Sequence, residues 1–415
     1  PDRLFLHAQE SNLSTYNISR INMILHGVKG WEHRHGDSIR NPRHLDDGNK
    51  LLRFDRIVMN PPFSLEDWGY DDFQGGDPHG RFEYGMPPRN NGDYAWLQQV
   101  AKSLKDDGKA IIVMSQGVLF RGQPEQTEEE DGQNQKADAE YVIREGFVKA
   151  DIIECVIVLP SKLFYGNSVP GCLIVLNRNK PADRKNKILM IWASRHFQKA
   201  NPQNLLRPSD LMRILVPWRA FGDLAKAREL VAVHERRLLD EEEAERRRRL
   251  QDIEDAYAPI LAPLAGLTAE LAKLESQDWK DAGFSKKADY TSRIKELKRQ
   301  IKDLEKIQAE RDKAEAEVNE HAERELAHIR EAAADLLRIC SDPQEAARYF
   351  TVADRAEIEE NEFNLNLPRY VDTFEPEEEI PIEEALRGLT TAEEAAQATR
   401  ATLHQLLGLL GEGAK

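Results

Sequence analysis

Cysteine is scarce in this chain: there are three in 415 residues, at positions 155, 172 and 340, with no paired spacing. That argues against a disulfide framework or a zinc-ribbon centre and suits a reducing compartment, so the cytoplasm is the expected location. No apolar run approaches the ~20 residues a membrane-spanning helix needs, and no signal-peptide pattern is visible. Basic residues are also in deficit, 58 Lys and Arg against 73 Asp and Glu, for a net charge of −15. Phosphate contacts dominate nucleic-acid affinity, so such a chain needs a local basic cleft or a basic partner to hold a polyanion.

What the chain does have is the run Phe54-Asp55-Arg56-Ile57-Val58-Met59-Asn60-Pro61-Pro62-Phe63. Val58 and its neighbours read as a short buried strand that Pro61 stops, because proline has no N–H to give to a ladder. The residue before a proline is pushed to extended geometry, which holds Asn60 straight at the strand's carboxyl edge. The Asn60 side-chain oxygen and the Pro61 carbonyl are then two adjacent acceptors, and Phe63 is a flat face beside them. Two acceptors and a ring suit a planar group carrying an NH2, such as the exocyclic amine of adenine.

The tetrapeptide resembles the amino-methyltransferase motif [DNS]-P-P-[YFW], and its surroundings resemble the modification (M) subunit of type I restriction–modification systems, an adenine-N6 DNA methyltransferase. Upstream, Leu4 to Glu10 is a strand ending in a carboxylate, followed by a helix through Ile18, Ile21 and Leu25 with a Ser or Thr cap. An acid at such a strand end suits the ribose hydroxyls of a nucleotide. The family's Gly-Gln-Glu, Met-Asn and His-Gly elements are matched by Gln9-Glu10, Asn22-Met23 and His26-Gly27, with Ala8 in place of glycine. Gly36-Asp37-Ser38-Ile39 resembles the family's Gly-Asp-Ser-Leu. The resemblance implies that Glu10 binds the ribose and Asp37 the adenine amine of S-adenosyl-L-methionine. Far downstream, Ile358 to Tyr370 resembles the family's tail signature Ile-x-x-Asn-x-x-x-Leu-Asn-Ile-x-Arg-Tyr. The family's glycine-rich cofactor turn would precede Leu4, so the chain is expected to be incomplete at its N-terminus.

The expected fold is a three-layer α/β sheet, a Rossmann-like methyltransferase sheet over residues 1–220, lacking its first strand. Tyr94–Leu104 reads as an amphipathic helix, and Ala110–Met114, Ile152–Pro160, Pro170–Leu176 and Lys187–Ile191 as strands. Asp67–Asn91 reads as a long loop placed to close over a base or backbone, and Gln123–Ala137 as an open acidic segment. Between 221 and 340 Leu250, Ile253, Tyr257, Ile260, Leu264, Leu267, Leu271 and Leu274 form a heptad seam, repeated by Ile294, Leu297, Ile301 and Leu304. Pro259 and Pro263 sit inside the first stretch, which must kink or break near there, and a turn at Gln277–Lys286 makes an antiparallel coiled-coil hairpin. Glu241–Arg249 reads as a solvated helix face, and residues 341–415 as a tail for subunit contacts.

The resemblance implies DNA methylation at adenine N6, with double-stranded DNA, a specificity (S) subunit, a second M subunit and a nuclease (R) subunit as partners. His33 and His35 are a conceivable ligand pair, but methyl transfer needs no metal and none is expected. Two other readings stay open. A protein-glutamine methyltransferase also uses Asn-Pro-Pro, although with Tyr next and no long hairpin, and a catalytically idle coiled-coil scaffold would retain a degenerate methyltransferase fold.

Overall fold

The computed structural model describes residues 4–127, 134–165 and 169–373, together with isolated positions beyond. Residues 1–372 form one compact unit, and 373–415 a second that lies almost wholly outside the described residues. The expectation for the tail beyond 373, and the central part of Gln123–Ala137, fall among positions that are not described.

The chain opens with β1 (Leu6–Glu10), α1 (Leu13–Leu25) and β2 (Trp31–His35), a parallel two-stranded sheet joined by a helix. The cap of α1 is Asn12, whose side chain accepts from the N–H groups of Ser14 and Thr15 at 2.9 and 3.1 Å. An amide oxygen reaches the orphan donors of a first turn as well as a hydroxyl does, so the expected Ser or Thr cap is replaced by its neighbour. The apolar stripe of α1 is left open: Ile18, Ile21, Ile24 and Leu25 are all exposed.

The main sheet begins at β3 (Phe54–Met59), followed by α2 (Asp93–Lys102), β4 (Leu104–Ser115), the short antiparallel pair β5 (Gln126–Thr127) and β6 (Asn134–Gln135), and α3 (Ala139–Lys149). It continues through β7 (Ile153–Val158), β8 (Gly171–Asn177) and β9 (Lys187–Trp192). The helices α4 (Pro208–Ala220), α5 (Leu224–Leu261), α6 (Leu264–Glu275), α7 (Lys287–Ile339) and α8 (Pro343–Ala346) then lead to β10 (Phe350–Asp354) and α9 (Arg355–Glu360). The strand order is β10-β9-β7-β8-β4-β3. Pairing is parallel for β3–β4 and β7–β9 and antiparallel elsewhere. Every residue of β7 is buried, because both faces of the sheet are covered. One face packs Leu97, Val100, Ile143 and Phe147 of α2 and α3 on Ile112, Met114 and Ile174. The other packs Met212, Val216, Val231, Leu336 and Ile339 on Cys155, Val175 and Leu189. The three layers expected from the sequence are present, but the single sheet expected over residues 1–220 is not: among the described residues β1 and β2 pair only with each other, and β3, read as buried, is the edge strand with Val58 exposed.

The long helices run antiparallel: Arg228 reaches the Cys340 carbonyl, Arg246 reaches Asn319 and Arg293 reaches Glu270. The break between α5 and α6 falls at Ala262-Pro263, and the turn lies between Glu275 and Lys287. Most of the heptad seam is half-buried, with Leu274, Leu297 and Ile301 buried and Ile260 exposed. The charge run is a solvated helix face, since Arg247, Arg248 and Arg249 pair with Glu243 and Glu245 of their own helix. The root of the hairpin is part of the unit's core: Ala227, Val231, Ala332, Ala333 and Leu336 all lie in the second cluster. After the hairpin the chain returns to the sheet. β10 pairs with β9, and Ile358, Phe363, Leu365, Leu367 and Val371 enter the first cluster. The helical region is thus inserted before the sheet is complete, where the sequence suggested a sheet simply followed by helices.

Candidate active site

β3 delivers Asn60 to the surface just past its last residue, Met59, with Pro61 buried, Pro62 exposed and Phe63 half-buried. The Phe63 ring meets Phe164 edge-on, centroids 6.1 Å apart, a favoured aromatic geometry that keeps the remaining ring face clear of it. Gly171 lets these rings lie close to the sheet. A Cβ there would stand 3.1 Å from Phe164 and 3.8 Å from Phe63.

The chain turns out of the motif at Ser64, which sits in the left-handed region at φ 49°. This conformation is uncommon outside glycine and needs an external restraint. Asp93, fully buried at the start of α2, supplies it by accepting from the Ser64 N–H at 2.8 Å. Its other oxygen accepts from Ser115 Oγ at 3.1 Å and from Arg121 at 2.6 Å. Arg121 also forks onto Glu140 at 2.9–3.1 Å. Burial pulls the Arg121 proton affinity down, but Glu140 and Asp93 more than offset this and hold it above its ordinary value. Arg144, buried, donates to the Arg121 carbonyl at 2.6 Å and to the Phe363 carbonyl at 2.7 Å. Leu365 N–H donates to the Leu119 carbonyl at 2.7 Å. A continuous relay therefore joins the tail signature to the residue after Phe63.

The loop 67–91 is folded around a core of its own. Trp68 stacks on Phe73, Phe82 meets both edge-on, and Ile39 closes the cluster. A buried Arg81–Asp77 pair lies beneath, with Arg81 also donating to the Ile39 carbonyl and to Gln99. Burial pushes the Asp77 carboxyl up, but the Arg81 hydrogen bonds outweigh it and leave it below its ordinary value. Ile39 stands two residues from Asp37 and Trp68 five from Phe63, so this cluster ties the Asp37 turn to the motif loop.

Glu10 and Asp37 lie together at the carboxyl ends of β1 and β2, where Gly36 N–H donates to the Glu10 carbonyl at 2.9 Å. Glu10 Oε1 accepts from the Asn12 N–H at 2.7 Å. Asp37 Oδ1 accepts from Ile39 and Arg40 N–H at 2.7 and 2.9 Å. Among the described residues each carboxylate has one oxygen without a hydrogen-bond partner. That pair of open acceptors fits a hydroxyl-rich and amine-bearing ligand such as an adenosine. His33 and His35, weighed as metal ligands, instead bond Ser19 and the Ser11 carbonyl.

Sequence reading missed Asp93, Arg121 and Arg144 as supports. Asp93 follows Asn90-Asn91-Gly92, which reads only as a turn, and its partner Arg121 is remote in sequence. The one local signal was an acid in the first turn of an amphipathic helix.

A mixed β-sheet flanked by helices, with Asn-Pro-Pro-Phe at the carboxyl end of its edge strand β3, is the frame of an amino-methyltransferase. The chain belongs to the N-6 DNA Methylase family, whose family model matches residues 1–244. It is 32% identical over 247 residues to the type I restriction enzyme MjaVIII methylase subunit of Methanocaldococcus jannaschii, covering 57% of this chain and 40% of that protein. With the MjaVII methylase subunit of the same organism it shares 33% identity over 251 residues, covering 57% and 39%. A solved structure, the type I restriction-modification methyltransferase subunit of Streptococcus thermophilus, shares 31% identity with a TM-score of 0.42, over 51% of this chain and 41% of that one. The chain thus spans about two fifths of the length of the curated relatives it matches. Among the described residues, no helix is long and apolar enough to cross a membrane.

Proposed function

We propose that this chain carries the catalytic part of a site-specific DNA methyltransferase that methylates adenine N6 in duplex DNA, acting as the M subunit of a type I restriction–modification complex. The observation that carries this reading is Asn60-Pro61-Pro62-Phe63 at the carboxyl end of β3, with Asn60 exposed and Phe63 braced edge-on by Phe164. S-adenosyl-L-methionine, when bound, supplies a methyl group on an electrophilic sulfonium. Glu10 and Asp37 hold its ribose and adenine through their open oxygens. Adenine N6 is a poor nucleophile because its lone pair is delocalised into the ring. Asn60 Oδ1 and the Pro61 carbonyl accept its two hydrogens, which favours a tetrahedral nitrogen with its lone pair directed outward. Orientation and stabilisation of the developing positive nitrogen do the work, and no strong base is required before transfer. The target adenine leaves the duplex to reach these groups, and Phe63 stacks on it. Asn60→Ala is expected to abolish transfer of labelled methyl to DNA while leaving cofactor affinity within about twofold; undiminished transfer refutes the assignment.

The net charge of −15 favours a partner that carries the DNA-reading surface. In this reading that partner is the S subunit, contacted by the distal hairpin, with a second M subunit and a nuclease subunit completing the assembly. The half-buried seam of α5–α7 is an incompletely covered coiled-coil surface suited to further helices. Excising residues 226–335 would remove Val231, Ala332 and Ala333 from the core. The informative variant therefore replaces residues 247–318 with a short glycine-rich linker. It is expected to keep its unfolding midpoint and cofactor affinity but lose co-purification with the S subunit; retained assembly excludes the distal hairpin as the contact.

A further inference from the structure

We propose a divalent-metal site, suited to Zn2+, formed by His7, Glu32 and His44 at the opposite end of β1 and β2 from Glu10 and Asp37. His7 and Glu32 are direct partners across the parallel pair, and His44 comes from the loop that follows β2. One ligand atom from each side chain lies within 4.8 Å of the other two.

Three details point to a metal rather than a hydrogen-bonded cluster. First, Nδ1 of both His7 and His44 is buried and, among the described residues, has no hydrogen-bond partner, an arrangement that costs about 1–3 kcal/mol per group unless something accepts the lone pair. Second, His44 Nε2 lies 2.9 Å from the Ala8 carbonyl. Since a carbonyl only accepts, the ring proton sits on Nε2 and the Nδ1 lone pair faces the cluster. This is the outer-sphere contact that fixes a ligating histidine's tautomer. Third, His7 Nδ1 and Glu32 Oε2 stand 3.5 Å apart. That is long for a hydrogen bond, yet two ligands at about 2.0–2.2 Å from a tetrahedral ion are separated by about 3.3–3.6 Å. Arg34 pairs with the other Glu32 oxygen and leaves Oε2 turned toward His7.

The ion clips together β1, β2 and the loop carrying His44, a part of the unit that is thinly packed, since α1 has no buried residue. His7 stands about 10 Å along an extended strand from Glu10, so the ion would not touch the residues assigned to the cofactor and its role is structural.

The test uses the full untagged chain, stripped with a chelator and titrated with Zn2+ by calorimetry, and with Co2+ by visible absorption. The expected result is one tight equivalent, a Co2+ spectrum of four-coordinate intensity, and a rise in unfolding temperature on loading. His7→Ala and His44→Ala should each weaken binding at least about 100-fold, and Glu32→Gln, which preserves shape, by about 10-fold or more. His328→Gln, on α7, is the control and should bind as the parent does. Absence of a stoichiometric equivalent, or equal affinity in the His7→Ala/His44→Ala double variant with unchanged far-ultraviolet dichroism, overturns the proposal.

Discussion

Removing the Asp93 carboxylate tests whether the relay behind the motif holds it in place. In Asp93→Ala the Ser64 N–H and Ser115 Oγ lose an acceptor, and Arg121 loses one of its two carboxylates. Breaking a buried ion pair by deleting one member costs about 3–5 kcal/mol, because the survivor is left without its counter-charge. Arg121 keeps its fork on Glu140 and is partly exposed, which places the cost at the lower end, about 3 kcal/mol. Asp93→Asn keeps an acceptor for Ser64 and should cost about half as much. Urea unfolding followed by circular dichroism reads these differences directly. Activity should fall more steeply than stability suggests. Once released, Ser64 relaxes from its left-handed conformation and carries Phe63 with it, and a displacement near 1 Å costs about 100-fold in rate. The assay is single-turnover methyl transfer in the assembled complex, with cofactor affinity measured alongside. An Asp93→Ala protein that unfolds within about 0.5 kcal/mol of the parent and transfers methyl at the parental rate refutes the reasoning.

Phe63→Ala should weaken the hold on the extruded base by about 1–3 kcal/mol, read as raised KM on duplex substrate, whereas Phe63→Trp should retain part of it; wild-type kinetics for the alanine variant would exclude stacking. For Asp77, the folded carboxyl lies below its ordinary 3.8 because of Arg81, so its contribution to stability is present above that value and is lost as pH falls through the lower folded value. Asp77→Asn should therefore be less stable than the parent near neutrality, with the difference shrinking below about pH 4 in acid titrations of unfolding; a pH-independent difference would contradict the pairing.

Much of the candidate site was legible as local structure because its signals are local. A strand that stops at Asn-Pro-Pro needs only proline's missing donor and restricted neighbour to be read, and α5–α7 announce themselves by period, breaking proline and turn. β7 and β8 were recognisable as strands, but an all-buried run such as Ile153–Val158 has no alternation and so gives no clue to its place in the sheet. The loop 67–91 read as a long segment placed to close over a base or backbone, with no internal packing, because its Gly and Pro residues interrupt any period. Its order comes from three aromatic rings at irregular spacing and one buried ion pair, none of which has a period. β10 escaped notice for another reason: Phe350–Asp354 is short, and its partner β9 lies on the far side of the whole hairpin. The relay from Phe363 through Arg144 and Arg121 to Asp93 is likewise a product of tertiary structure.

The return of the chain to β10 also has a consequence for how the protein is made. On the ribosome β9 emerges long before its edge partner, and Arg144 must wait for the Phe363 carbonyl until the entire hairpin has been synthesised. Closure over so long an excursion adds little to the equilibrium cost but raises contact order and slows the final step. A ribosome that stalls within α7 therefore leaves a nascent chain whose β9 edge lacks its β10 partner, an open edge that favours aggregation.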